Sequence, residues 1–116
     1  HLVEMTRASK VDVELLLDHV KHLDGALDCA AAGIFSSLQP QNVRLRRAVR
    51  DGERLAGDPR YALLFDPQTA GGLLASVPAA RAAACVAALH AAGEADAAII
   101  GRALPPDGAD GPVRIV

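Results

Sequence analysis

Val11, Val13 and Leu15 alternate with Asp12 and Glu14, the period-two pattern of a strand with one buried face. Ahead of it Leu2, Val3, Met5 and Ala8 recur at helical spacing, which predicts a helix over His1 to Ser9. From Val20, the positions Leu23, Ala26, Leu27, Ala30 and Ala31 follow a helical period as far as Gly33, a residue suited to ending a helix. A loop with Ser36, Ser37 and Pro40 comes next. The segment from Asn42 to Leu55 holds five arginines on a thin set of apolar positions, so it is an exposed helix or a mobile loop, and the stretch to Ala56 is expected to be the least ordered.

Asp58-Pro59 is placed to open a short helical turn through Leu64, and Asp66-Pro67 forces a break. Gly72 to Val77 has the composition of a buried strand. Pro78 introduces the clearest helix, alanine-rich from Ala79 to Ala92 and ended by Gly93. Ala97 to Leu104 and Val113 to Val116 are the closing strands, with Asp107-Gly108 in the connection expected of a hairpin. This order of elements predicts an α+β domain with a mixed sheet.

With 116 residues the chain fits one domain, residues 1–116, able to bury a core without disulfide or metal staples. Its 12 Lys+Arg against 14 Asp+Glu give a net charge of −2, which supplies no electrostatic footprint for nucleic acid or an anionic membrane. Only 3% of the residues are aromatic, so there is no stacking platform for bases and the core has to come from Leu, Val, Ile and Ala. No apolar run approaches the roughly 18 residues of a membrane span. The N-terminus lacks a signal-type segment, and a cytoplasmic protein is expected. A chain that starts at His1 reads as a piece of a longer protein.

The chemistry worth weighing is concentrated in Asp66, Gln68, Thr69, Gly71 and Gly72. Adjacent glycines allow close backbone approach, and successive free N–H groups form an anion-binding concavity; a tight turn needing glycine for geometry alone is the competing reading. No Gly-Lys-Ser/Thr closes the segment, so it is not a Walker loop. His19 and His22, with Asp18 beside them, are spaced to share a helical face as metal ligands, but no third ligand can be named, and a solvated helix start is the simpler expectation. Arg44, Arg46, Arg47, Arg50 and Arg54 either contact a phosphate or an acidic partner, or form an exposed charged face interleaved with Asp51 and Glu53. Cys29 and Cys85 fit no metal or redox spacing and are expected to be buried as small apolar residues. His90 is expected as an exposed or half-buried helix residue. Nothing forms a nucleophile, base and orienter set.

The run Asp66-Pro67-Gln68-Thr69-Ala70-Gly71-Gly72-Leu73-Leu74 closely resembles the Asp-Pro-Gln-Thr-Ser-Gly-Gly-Leu-Leu motif of the selenophosphate synthetases, the selenide, water dikinases. His1 to Met5 resembles the continuation of that family's Gly-Phe-Gly-Leu-Leu-Gly-His segment, and Ala97 to Gly101 is similar to its penultimate strand. Ser36-Ser37-Leu38 and Asn42 resemble the variant fused behind a flavoprotein-like oxidoreductase domain. The resemblance covers the whole chain, loosely from Leu15 to Glu53.

It implies the C-terminal domain of an aminoimidazole-ribonucleotide-synthetase-like protein, a three-layer α/β/α arrangement with partly ferredoxin-like topology. The parent enzyme would make selenophosphate from selenide and ATP, releasing AMP and phosphate, with magnesium and commonly as a homodimer. Its catalytic cysteine or selenocysteine, its lysine and its metal-binding aspartates would lie in an N-terminal ATP-binding domain, the partner of this one. No catalytic residue, metal ligand or cofactor is then expected here, only a loop facing the interdomain cleft. Ala70 departs from the family's serine and removes a side-chain hydroxyl, while the backbone donors of Gly71 and Gly72 survive. The alternatives are another ATP-dependent relative or a domain retained for binding or regulation.

Overall fold

The computed structural model describes residues 1–116. Four strands form one mixed sheet: β1 (Asp12–Leu15), β2 (Val49–Arg50), β3 (Gly101–Leu104) and β4 (Val113–Ile115), in the order β2-β4-β1-β3. β1 pairs antiparallel with β3 and parallel with β4, and β4 pairs parallel with β2. The hairpin expected between the last two strands is therefore absent, because β1 lies between them. The turn chemistry of Asp107-Gly108 serves a loop that crosses the end of β1 instead.

Alternation does its expected work in β4, where Val113 and Ile115 are buried and Arg114 is exposed. Those two join Leu15 and Leu17, Val3 from helix α1 (Leu2–Ser9), Ala48, and Tyr61 and Phe65 in a single core. Gly101 opposes Leu15 in the register, and a Cβ there would collide with the Glu14 carbonyl, so glycine permits the close β1–β3 approach. Glu14 and Arg102, opposite one another in that pairing, form a 2.8 Å ion pair.

Several expected elements change. The helix from Val20 is cut to α2 (Ala26–Ala31), preceded by a 3₁₀ turn at Leu17–His19; Leu23 is 84% exposed and contributes nothing to a buried face. Gly33 does adopt the positive φ of a helix stop, at 73°. The segment from Asn42 to Leu55 is neither a helix nor a structureless loop. It contains the end of α3 (Gln39–Val43), 3₁₀ turns at Arg44–Ala48 and Gly52–Leu55, and the edge strand β2. Val43, Leu45, Val49 and Leu55 pack against the core, so its few apolar positions are spent on packing despite the surrounding charge. Helix α4 (Pro59–Leu63) starts as expected, capped by Asp58 Oδ1, which accepts from the Arg60 N–H at 2.9 Å. Such a cap is worth about 1 kcal/mol.

Gly72 to Val77 is not a strand. The run has strand composition but no neighbour to complete a ladder, and Leu73 is 96% exposed. Helix α5 (Ala79–Ala91) forms where expected yet buries none of its residues. Its alanines favour the helix intrinsically, without needing a packed face. Cys85 on α5 is half-buried and Cys29 on α2 exposed, against the expectation of buried thiols, because neither helix has a covering layer on that side.

The loop over β1 is held by one side chain. Arg50 donates from Nη2 to Asp12 Oδ2, from Nη1 to Asp107 Oδ2 and from Nε to the Gly111 carbonyl, each at 2.6 Å. Asp12 Oδ2 also accepts from the Asp107 N–H at 3.1 Å. Gly111 has φ of 81° and lies against the Ala48 carbonyl, a conformation and a space that suit only glycine.

Replacing Arg50 by Lys is expected to lower Tm by about 5 °C or more, because one ammonium cannot satisfy three acceptors arranged for a planar fork. Thermal melts that place Arg50→Lys level with the parent chain would refute this. A pH prediction follows from the same loop. The Arg50 guanidinium, helped by the Ala109 N–H, holds the Asp107 carboxyl well below the usual range, and Arg60 does the same for Asp58. Depressed folded-state values mean that this stabilisation is complete above the unfolded carboxylate value near 4 and is lost as pH falls through the folded values. Tm should thus hold steady down to about pH 5 and fall below about pH 4. An Asp107→Asn variant should be less stable at pH 7 and converge with the parent in acid; parallel Tm curves would contradict the linkage.

Candidate functional site

Helix α4 ends in a turn in which the Asp66 N–H donates to the Leu63 carbonyl at 3.0 Å, and Pro67 then prevents continuation. Within the loop, Gln68 donates from Nε2 to Asp66 Oδ2 at 3.0 Å. Gly71 lies close behind the same side chain: a Cβ on Gly71 would meet Gln68 Cβ at 3.1 Å and Oε1 at 3.3 Å. Gly72 faces open space, with nothing within 4 Å of a Cβ built on it. Neither glycine has a positive φ, so at Gly71 close approach to Gln68 rather than a left-handed turn is what glycine supplies. Thr69 and Ala70 are exposed.

The structure thus brings Asp66, Gln68 and Gly71 together and leaves Thr69 and Gly72 at the open rim. None of the N–H groups from Gln68 to Val77 donates to another backbone group, and none meets a side-chain acceptor. Unpaired amides in a segment with exposed glycines are ready donors for anionic oxygen. The only carboxylate in the loop is already engaged by Gln68.

The other candidates separate. His19 and His22 share no helix: His19 Nδ1 contacts the Ile99 carbonyl at 2.9 Å, and His22 Nδ1 the Leu23 carbonyl at 3.4 Å. Asp18 is bound by Arg60 instead. No group of three or more His, Cys, Asp or Glu side chains is placed to hold a metal ion. His90 Nε2 contacts the Ala97 carbonyl at 2.8 Å, tying the end of α5 to the segment before β3.

The five arginines do not act as one face. Arg50 braces the loop over β1, and Arg54 donates to the Ile115 carbonyl. Arg46 lies 5.5 Å from the ring centroids of both Tyr61 and Phe65. Arg44 and Arg47 are exposed.

One feature had no clear signal in the sequence. A cleft of about 760 Å³ opens beside the segment from Arg46 to Ala56 and has Tyr61 in its wall. Tyr61 is 1% exposed and makes an edge-to-face contact with Phe65 at 5.1 Å, but its hydroxyl has no hydrogen-bond partner. Leaving such a group unpaired costs about 1–3 kcal/mol. Burial pushes the Tyr61 hydroxyl pKa up, with the Arg46 charge opposing. A lone tyrosine in an aromatic-poor chain was the available hint.

Comparison with known proteins bears on the fold and the family. The family described as AIR synthase related protein, C-terminal domain, matches residues 1–111. A selenide, water dikinase of Clostridioides difficile strain 630 is 34% identical over 108 residues, covering 90% of this chain and 30% of the relative. Those of Pelobacter propionicus and Myxococcus xanthus are 37% and 38% identical, each over 87% of this chain and under a third of their own length (29% and 28%). The chain spans about three tenths of the length of the curated relatives it matches. With its α+β architecture and mixed sheet, this chain belongs to the AIR synthase related family as a C-terminal domain, and within it corresponds to that domain of the selenide, water dikinases.

Proposed function

We propose that the chain is the C-terminal domain of an enzyme that makes selenophosphate from selenide and ATP, releasing AMP and phosphate. The observation that carries the role of this domain is the row of unpaired amides from Gln68 to Gly72 at the rim of a glycine-bearing loop. In phosphoryl transfer a protein mainly positions and neutralises phosphate oxygens, and uncharged, preorganised N–H donors do this without reorganising during the reaction. The amides of Gln68, Thr69, Ala70, Gly71 and Gly72 and the Thr69 hydroxyl would bind phosphate oxygens of ATP. The Asp66–Gln68 hydrogen bond would hold the loop in shape.

The donor set suits phosphate and not, by itself, magnesium. One carboxylate already engaged by an amide cannot make the oxygen cage that magnesium needs. Magnesium, which supplies charge neutralisation at the phosphates, is therefore assigned to the N-terminal ATP-binding domain, together with the nucleophile and most contacts to ATP. That domain is the proposed partner, in a homodimeric cytoplasmic enzyme. No helix of this chain is long and apolar enough to cross a membrane.

Gly72→Val in the full-length enzyme is the cleanest test, because a side chain there meets nothing in this chain while occupying the space a phosphate needs. Its kcat/KM for ATP should fall by about tenfold or more, the scale of losing backbone donors at a phosphoryl group, with Tm unchanged within about 2 °C. Activity per folded molecule equal to the parent's would leave the loop a structural corner. The 116-residue chain alone should show no selenide-dependent ATP consumption above a protein-free control; turnover there would place the chemistry in this domain.

A further inference from the structure

The cleft beside Arg46 to Ala56 lies apart from the 66–72 loop, none of whose residues line it. Three arginines line it: Arg46, Arg47 and Arg54. None of them is within ion-pair distance of a carboxylate, although Asp51 and Glu53 line the same cleft. Arg50, Arg60, Arg102 and Arg114 by contrast all have carboxylate partners. Three guanidinium groups against two carboxylates leave the cleft net positive in a chain that is net negative. Arg46 is pre-positioned by the Tyr61 and Phe65 rings, and Arg54 by the Ile115 carbonyl, so neither needs much ordering to receive an anion.

The second observation is geometric. Tyr61 is buried beneath Gly52, another wall residue, where a Cβ would collide with its hydroxyl, so its ring is fixed in place and holds the Arg46 guanidinium at the cleft. Arginine forks are a donor set matched to tetrahedral oxyanions.

We propose that this cleft is a second anion site, binding the phosphate group of a small phosphorylated ligand through Arg46, Arg47 and Arg54. The site takes a phosphoryl group either free or at the end of a nucleotide, and its volume of about 760 Å³ accommodates both.

The test is titration of the isotope-labelled 116-residue chain with inorganic phosphate, and separately with ADP, at fixed ionic strength in chloride, following amide resonances. Saturable shifts centred on Arg46 to Arg54 are expected with phosphate. Tighter binding of ADP would assign a nucleotide, and equal affinity the phosphoryl group alone. Arg47→Gln removes an exposed side chain that makes no hydrogen bond or ion pair in the chain, and it should raise Kd by about fivefold or more. Tyr61→Phe should leave Kd unchanged and the ligand-free Tm unchanged or higher, since it deletes an unpartnered hydroxyl closed off beneath Gly52 and keeps the ring under Arg46. The proposal is overturned by non-saturating shifts, by an equal response to added chloride, or by a Kd that Arg47→Gln does not move. Shifts centred on residues 66–72 would also overturn it while supporting the loop as the phosphate contact.

Discussion

Arg50 makes the sheet possible in the order it has. β4 reaches its place between β1 and β2 only because the preceding loop passes over the end of β1, and that crossing leaves Asp12, Asp107 and the Gly111 carbonyl facing one another near the core. Two carboxylates and a carbonyl so placed repel unless a cation joins them. A guanidinium is the side chain whose planar fork meets all three, and its position on β2 ties the edge strand into the same junction. The parallel pairings of β4 on both sides, and with them Val113 and Ile115 in the core, depend on that closure.

Around this junction the core is small: 12 of the 116 residues are buried, and they come from α1, β1 and the turn after it, α2, α3, the segment around β2, α4 and Phe65 just beyond it, and β4. The C-terminal half between Gln68 and Ala97 contributes none of them. There α5 buries none of its residues, and the extended run before it leaves its backbone donors unpaired. The loop at 66–72 inherits this openness. It leaves a firmly packed helix, with Tyr61 and Phe65 anchored in the core, and projects donors that the domain does not use internally. Rigid support on one side and unspent hydrogen-bonding capacity on the other are what the proposed phosphate-positioning role would use.

Two groups of polar residues thus stand differently toward ligands. At 66–72 the donors are backbone amides, and the local carboxylate accepts a hydrogen bond from Gln68. At 46–54 they are side chains, partly preordered by aromatic stacking and carbonyl contacts. The first is continuous with the family motif. The second depends on a segment in which the resemblance to that family is loose, and it rests on geometry alone.

Where a signal is local, the sequence determined the outcome. Strand alternation at Val11 to Leu15, the Asp58-Pro59 helix start, the stop at Gly33 and the alanine-rich helix are each set by a residue's own backbone preference or by spacing within one element. Pro67 likewise acts locally, since its ring stops the helix at its own position. Tertiary structure decided what depends on a distant partner. Gly72 to Val77 reads as a strand, but a strand exists only when another completes its ladder, and nothing in those residues reports that one is lacking. The closing strands read as a hairpin, but β1 takes the place between them because Asp12 and Arg50 meet across the crossing loop, 38 residues apart in the chain. The arginine run read either as a contact for a phosphate or an acidic partner or as an exposed charged face, and only the fold divided it into a brace at Arg50, a cation over the edge-to-face Tyr61 and Phe65 rings at Arg46, and an open cleft. Sequence spacing carries no information about which charges meet, since that is set by how non-local elements pack.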